Sequence, residues 1–245
     1  MKTIGIYDSG CGGFSILNQI INYGFSGTIY YYADSINNPW GPKSKLELRI
    51  ILSNISEWFK KHQVTSIISG CNTTYSLFKD ELNTIFNIPV DNIFKETQPY
   101  YKYDAYSALC TENSFKSDLF SSLFPEKKIE EISCPNLANL IERNEKEKAI
   151  KLASSFIEKA HHTKIILGCT HYALLKKELS EKYIDHEFID PAEYYSKTEK
   201  SIPENHTIYF KITGDINKFR ENINQYLKSE KFIIEKLESE HVIRQ

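Results

Sequence analysis

Short apolar runs recur along the chain, separated by longer stretches in which apolar positions return every three or four residues. The short runs predict strands over Thr3–Tyr7, Thr28–Ala33, Ser66–Ser69, Val90–Phe94, Tyr106–Leu109, Lys128–Ile132, Lys164–Leu167, Glu187–Ile189 and Thr207–Ile212. The amphipathic stretches predict helices, clearest at Ser44–His62, Thr73–Phe86, Glu145–His161, Thr170–Lys182 and Asn217–Leu227. Short strands alternating with helices of this length indicate an α/β fold built on parallel sheets. No low-complexity linker interrupts the pattern, and the segments poorest in apolar periodicity, Lys95–Tyr103 and Pro191–Asn205, are the expected crossings between domains.

Two of the strand ends repeat one another. Ile67–Phe78 reads IISGCNTTYSLF and Ile165–Leu175 reads IILGCTHYALL, which sets Cys71 and Cys169 at matching points, 98 residues apart (169 − 71). The repeat suggests two related half-structures, each presenting one thiol just beyond a strand. In open parallel sheets ligands sit at the carboxyl ends of strands, where helix N-termini direct N–H groups outward. A thiol at such an N-terminus is expected to have a lowered pKa. One buried cysteine is more often a small apolar core residue. Two at matching positions, followed by Asn-Thr and Thr-His, point to proton or nucleophile chemistry.

Composition narrows the classes. At 245 residues the chain can be one large domain or two small ones, and its 41% hydrophobic and 25% charged residues suit a globular protein. A formal net charge of −2 gives no electrostatic case for nucleic acid or an anionic membrane as partner. No apolar run approaches the roughly 20 residues that span a bilayer, and MKTIGIYDSG lacks a signal-peptide pattern, so a cytoplasmic location is expected. Five cysteines, with no CxxC spacing, argue against a disulfide framework and a zinc site. No metal and no cofactor is expected. The glycine-rich turn DSGCGGF, Asp8–Phe14, permits tight backbone and positive φ ahead of a helix but lacks the full GxGxxG spacing of a dinucleotide site. Taken alone, Asp8 reads as a helix cap and ADSINNPWGPKS, Ala33–Ser44, as a turn.

In combination these motifs resemble the glutamate racemases of the cofactor-independent aspartate/glutamate racemase family. The matching residues are Asp8-Ser9-Gly10 with Gly12-Gly13, Pro39-Trp40-Gly41-Pro42-Lys43-Ser44, Cys71-Asn72-Thr73, Cys134-Pro135, Gly168-Cys169-Thr170-His171-Tyr172 and Thr213-Gly214-Asp215, in the family's order over nearly the whole chain. The resemblance implies two similar parallel-sheet α/β domains with the active site in the cleft between them. Residues 1–95 plus 206–245 would form the first domain and 96–205 the second.

The resemblance also implies a reaction. Inverting an α-carbon without a cofactor needs a base on one face and an acid on the other. Cys71 and Cys169 would be that pair, Cys71 acting on the D-enantiomer and Cys169 on the L-enantiomer, with Asp8 supporting the first and His171 the second. The implied function is interconversion of L- and D-glutamate, supplying D-glutamate for peptidoglycan. Asp8, Ser9, Trp40, Gly41, Asn72, Thr73, Thr170 and His171 would contact the substrate, and Thr111, Ser114 and Glu142 match further family positions. Glutamate is the expected small-molecule partner, and a homodimer is the assembly considered. Departures cluster around the same pocket: Trp40 stands where the family has Tyr, Thr74 and Tyr75 follow CNT where Ala is usual, and Cys11 replaces Val. Ile93–Ser107 lacks the family's run of small residues. They leave open a racemase for another amino acid such as aspartate, or a weakly active binding protein on the same fold.

Overall fold

In the computed structural model the described residues are 2–22, 24–93, 101–195, 206–229 and 231–236. The strands are β1 (Lys2–Asp8), β2 (Gly27–Ala33), β3 (Ser66–Ser69), β4 (Val90–Asn92), β5 (Ala105–Cys110), β6 (Lys128–Ser133), β7 (Lys164–Leu167), β8 (Glu187–Ile189), β9 (His206–Ile212) and β10 (Phe232–Lys236). Six of them form one sheet in the order β10-β9-β2-β1-β3-β4 and four form another in the order β6-β5-β7-β8. Every pairing is parallel. The molecule therefore has two parallel-sheet α/β domains, and the chain returns to the first sheet for its last two strands. The expected crossings fall largely on residues 95–100 and 196–205, which lie outside the described residues, as does Phe94 at the end of the fourth expected strand.

Parallel strands are covered on both faces and so read as continuous apolar runs rather than alternations. The last five residues of β1 are all buried. One apolar cluster draws on both sheets, with Ile6, Ile29 and Phe210 from the first and Tyr106, Ala108 and Ile166 from the second. Two further clusters serve one domain each, around Trp58 and Phe59 in the first and around Leu167 and Tyr172 in the second. The shared central cluster gives the two domains one continuous apolar interior beneath the strand ends that carry the site.

Two predicted helices are broken. Thr73–Phe86 divides into α3 (Asn72–Phe78) and α4 (Leu82–Phe86), and Thr170–Lys182 into α9 (Thr170–Ala173) and α10 (Lys176–Lys182). The first break coincides with Glu81, which pairs with Lys45 and Arg49 of α2 (Lys45–Lys61). At the second, Leu174 and Leu175 donate to carbonyls three residues back, so the chain passes through a tight turn between the two helices. Helix α2 starts where expected because Ser44 and Glu47 form a capping box. Strand β10 had no counterpart in the sequence pattern; it is a five-residue strand that, among the described residues, pairs with β9 alone.

Candidate active site

The repeat in the sequence is a repeat in hydrogen bonding. Gly70 donates its N–H to the carbonyl of Tyr7 at 3.0 Å, and Gly168 donates to Leu109 at 2.8 Å. A Cβ on Gly70 would lie 2.6 Å from that Tyr7 oxygen, and one on Gly168 would lie 2.5 Å from the Leu109 oxygen. Glycine is required at both because the chain turns out of the sheet against a neighbouring strand's backbone. The next residue in each case, Cys71 or Cys169, is then the N-cap of a helix, α3 or α9. Both line one cavity, with Asp8, Ser9, Trp40, Gly41, Asn72, Thr73, Thr111, Thr170 and His171 also in its wall.

The two turns hold each other. Asn72 Nδ2 donates to the Gly168 carbonyl at 2.9 Å, Thr170 Oγ1 donates to Asp8 Oδ2 at 3.0 Å, and the hydroxyls of Thr73 and Thr111 share a bond of 2.9 Å. Asp8 Oδ1 accepts from the Gly10 N–H at 3.0 Å. The first contact joins the two cysteine turns directly, the second joins the Cys169 turn to the end of β1, and the third joins the Cys71 turn to the end of β5. Asn72 Oδ1 is buried without a partner among the described residues.

His171 is surrounded by acceptors and thiols. Its Nε2 meets Glu142 Oε2 at 2.9 Å, and its Nδ1 lies 4.0 Å from Cys169 Sγ and 3.9 Å from Asp8 Oδ1. Glu142 Oε2 also accepts the backbone N–H of Cys11 at 2.8 Å. Burial alone would lower the His171 pKa, but its bonds with Cys11, Cys169 and Glu142 and the charge of Asp8 reverse this and hold it well above the imidazole range. Burial likewise works to raise the Glu142 pKa, and its bond and charge interaction with His171, joined by the bonds from Cys11, prevail to lower it. The pair is thus poised as imidazolium and carboxylate. For Asp8 burial prevails over the His171 charge and the Thr170 bond, pushing its pKa up to about 6.

The expectation of a lowered thiol pKa at Cys71 is overturned. Burial, and after it the negative charge of Asp8, push Cys71 up to about 12, against smaller opposing effects from the backbone N–H groups of Thr74 and Thr73. A seven-residue helix offers too few aligned peptides to offset removal of the thiolate from water.

The glycine-rich turn has a different purpose from the phosphate cradle it resembles. Gly10, Gly12 and Gly13 have no positive φ; among the described glycines that conformation occurs at Gly24 and Gly27. A Cβ on Gly10 would sit 2.1 Å from Glu142 Oε2, and one on Gly12 would sit 2.2 Å from His171 Nδ1 and 2.6 Å from Thr170 Oγ1. The glycines leave room for side chains arriving from the second sheet's domain. Gly41 similarly faces that domain, with Glu112 and Thr111 at 3.0 and 3.3 Å from a Cβ built on it.

Two of the expected site residues fall behind the cavity wall. Ser114 is buried and accepts from the Thr111 hydroxyl at 3.0 Å, and Glu142 stands behind His171. Trp40 does line the cavity, but its Nε1–H is used by Asp34 Oδ2 at 3.0 Å. Asp34 was not singled out from sequence; it also accepts from Asn37 and Thr213 and so pins the loop that carries Trp40 and Gly41. Cys134, Glu112, Asn136 and Tyr172 are further cavity residues. The matched Cys134-Pro135 pair was the available signal for the first.

No family model matches the chain. It is 30% identical to the glutamate racemase of Leptospira interrogans over 190 residues, 74% of each chain. It is 29% identical to that of Carboxydothermus hydrogenoformans over 258 aligned residues, covering 98% of this chain and 97% of the relative. Its fold superposes with a TM-score of 0.81 on the glutamate racemase of Francisella tularensis in complex with D-glutamate, at 23% identity, over 95% of this chain and 97% of that one.

Proposed function

Because the chain belongs to the glutamate racemase family, we propose that it interconverts L- and D-glutamate, with Cys71 and Cys169 as acid and base on opposite faces of the α-carbon. The observation that carries this reading is the pair of cysteines at equivalent turns lining one cavity, each beside its own proton-handling partner. In one direction the Cys71 thiolate removes the α-proton of D-glutamate. The Cys169 thiol then delivers its proton to the other face, leaving L-glutamate, a Cys71 thiol and a Cys169 thiolate. The reverse direction exchanges the roles. Asp8 takes up and returns the Cys71 proton, and His171, oriented by Glu142, does the same for Cys169.

The α-proton is weakly acidic, so fixed donors must meet the charge that builds on the substrate carboxylate. Ser9 offers a hydroxyl whose proton is free to turn to the substrate, the Thr73 and Thr170 hydroxyls would have to turn from Thr111 and Asp8 to donate, and the unpartnered Asn72 Oδ1 suits the ammonium group. The cavity has only about 30 Å³ of room for water, so substrate entry requires it to open. In this reading residues 1–95 and 206–245 make one domain and 96–205 the other, and the enzyme works in the cytoplasm, its D-glutamate feeding peptidoglycan. The test is exchange of the α-hydrogen in deuterium oxide across L- and D-amino acids. Glutamate of both hands should exchange fastest; faster exchange of aspartate would reassign the substrate, and no exchange of any amino acid would refute the reading.

A further inference from the structure

Behind His171, on the side turned from the substrate cavity, three donors of different kinds converge. One ligand atom each from Cys11, Glu142 and His171 lies within 4.8 Å of the other two. All three residues are buried, at 0%, 9% and 1% exposure. We propose that Cys11, Glu142 and His171 form a binding site for zinc(II), and that filling it arrests racemisation by withdrawing His171 from proton transfer.

Thiolate, carboxylate and imidazole are the ligand types zinc prefers. Bonds of 2.0 to 2.3 Å in a tetrahedral site place ligand atoms about 3.3 to 3.8 Å apart. No pair here has to close by more than about an ångström, while Glu142 Oε2 and His171 Nε2, at 2.9 Å, must part slightly. The metal replaces the proton those two atoms share, and that proton and the Cys11 thiol proton leave to solvent. One thiolate and one carboxylate then cancel the two positive charges, so the buried cluster is neutral. The carboxylate is already oriented by the Cys11 N–H, and Asn222 Nδ2 holds the backbone behind it by donating to the main-chain carbonyl of Glu142 at 3.0 Å.

A route exists that avoids the substrate. Glu142 lines a separate cavity of about 530 Å³ with Ser35, Asn38, Asn139, Thr213 and Lys218. Its wall also carries Asp215 and Arg143, Glu142 is the residue it shares with the buried cluster, and a water from that cavity can complete the fourth position. With Nε2 on zinc the ring keeps one proton on Nδ1, the atom facing Cys169, and can no longer pass between imidazolium and neutral imidazole, so Cys169 loses its proton-cycling partner while the substrate cavity stays free.

Cobalt(II), which reports thiolate ligation as a charge-transfer band, tests the site in the full chain. Wild-type protein and the Cys71→Ser/Cys169→Ser double variant should both show the band, and Cys11→Val should lose it. In assays, zinc should lower kcat of the wild type with little change in KM. Cys11→Val, active in zinc-free buffer, should need at least about tenfold more zinc for the same inhibition. If Cys11→Val fails to fold, Cys11→Ala carries the same expectations. No band in the wild type, a band that survives in the Cys11 variant, or equal zinc sensitivity of the two enzymes would overturn the proposal. The cobalt readout is independent of the reaction, so a failure of the racemase reading leaves it standing.

Discussion

Beyond β3 the chain turns through Gly70 to Cys71, and beyond β7 it turns through Gly168 to Cys169, with the same backbone bond to the adjacent strand. Around this common frame the side chains differ. The adjacent strand ends in Asp8 in the first domain and in Cys110 in the second. Two residues after the thiol stands Thr73 in the first turn and His171 in the second. Each cysteine therefore has one proton-handling neighbour, but from a different position: the adjacent strand for Cys71, its own turn for Cys169. The backbone repeat positions two sulfurs, and the side chains around it make one a thiol beside a carboxylate and the other a thiol beside an imidazolium. What had to be duplicated was the geometry; the chemistry of each side could then diverge.

The sharpest way to break this comparison is to remove one sulfur at a time. Cys71→Ser and Cys169→Ser should each reduce racemisation roughly 10²- to 10⁴-fold, since a hydroxyl is a far poorer base than a thiolate. Each should retain exchange of the enantiomer that faces its surviving thiol, read by deuterium uptake at the α-carbon. Full racemisation by either variant would sink the two-base mechanism.

Removing the neighbours should reproduce the asymmetry more gently. Asp8→Asn should slow the direction in which Cys71 takes the proton, and His171→Asn the direction in which Cys169 does, each by about 10². Glu142→Gln should cost about tenfold on the Cys169 side alone, because it acts through His171. Equal losses in both directions for all three would dissolve the distinction between the halves.

The pH dependence separates the sides again. Asp8 must be ionised to accept a proton, so kcat/KM for the Cys71-initiated direction should fall as pH drops through about 6, and Asp8→Asn should flatten that limb. The folded pKa lies above the unfolded carboxylate value, so stability from this group is present at low pH and lost as pH rises toward about 6. Buried charge at Asp8 then costs the fold roughly 3 kcal/mol at neutral pH, and Asp8→Asn should melt no lower than wild type at pH 8. A clearly lower Tm there would show that Asp8 holds the structure together as an anion.

The smallest effect is expected at Trp40. Its N–H is committed to Asp34, so Trp40→Tyr should change KM less than about tenfold and lower stability by about 1 kcal/mol through the lost bond. Loss of more than a hundredfold in kcat would place the indole in the chemistry itself.

Much of this was legible in the chain because it is local. Buried parallel strands leave apolar runs, and a thiol after Gly at a strand end is visible wherever it is repeated. What was hidden depends on residues that meet only in space. Glu142 reaches the N–H of Cys11 across 131 positions, so its segment CPNLANLIE shows nothing to distinguish it from an exposed helix charge. The glycines of DSGCGGF have the composition of an anion cradle, and only the incoming Glu142 and His171 reveal why side chains are excluded at Gly10 and Gly12, as Tyr31 does at Gly13. The sign of the Cys71 shift was missed because a helix N-terminus can be read from sequence whereas burial beside Asp8 cannot.

The order β10-β9-β2-β1-β3-β4 has a consequence for how the chain leaves the ribosome. The first sheet begins with residue 2, yet the neighbour of β2 on its outer side, β9, starts at His206. Between those events the second sheet, which needs only residues 105–189, has all its strands available. The edge GTIYYYA, rich in β-branched and aromatic residues, thus waits unpaired for most of synthesis. The domain whose sequence comes first is completed last, and the interval in which its open edge must avoid other chains lengthens whenever translation pauses between β2 and β9.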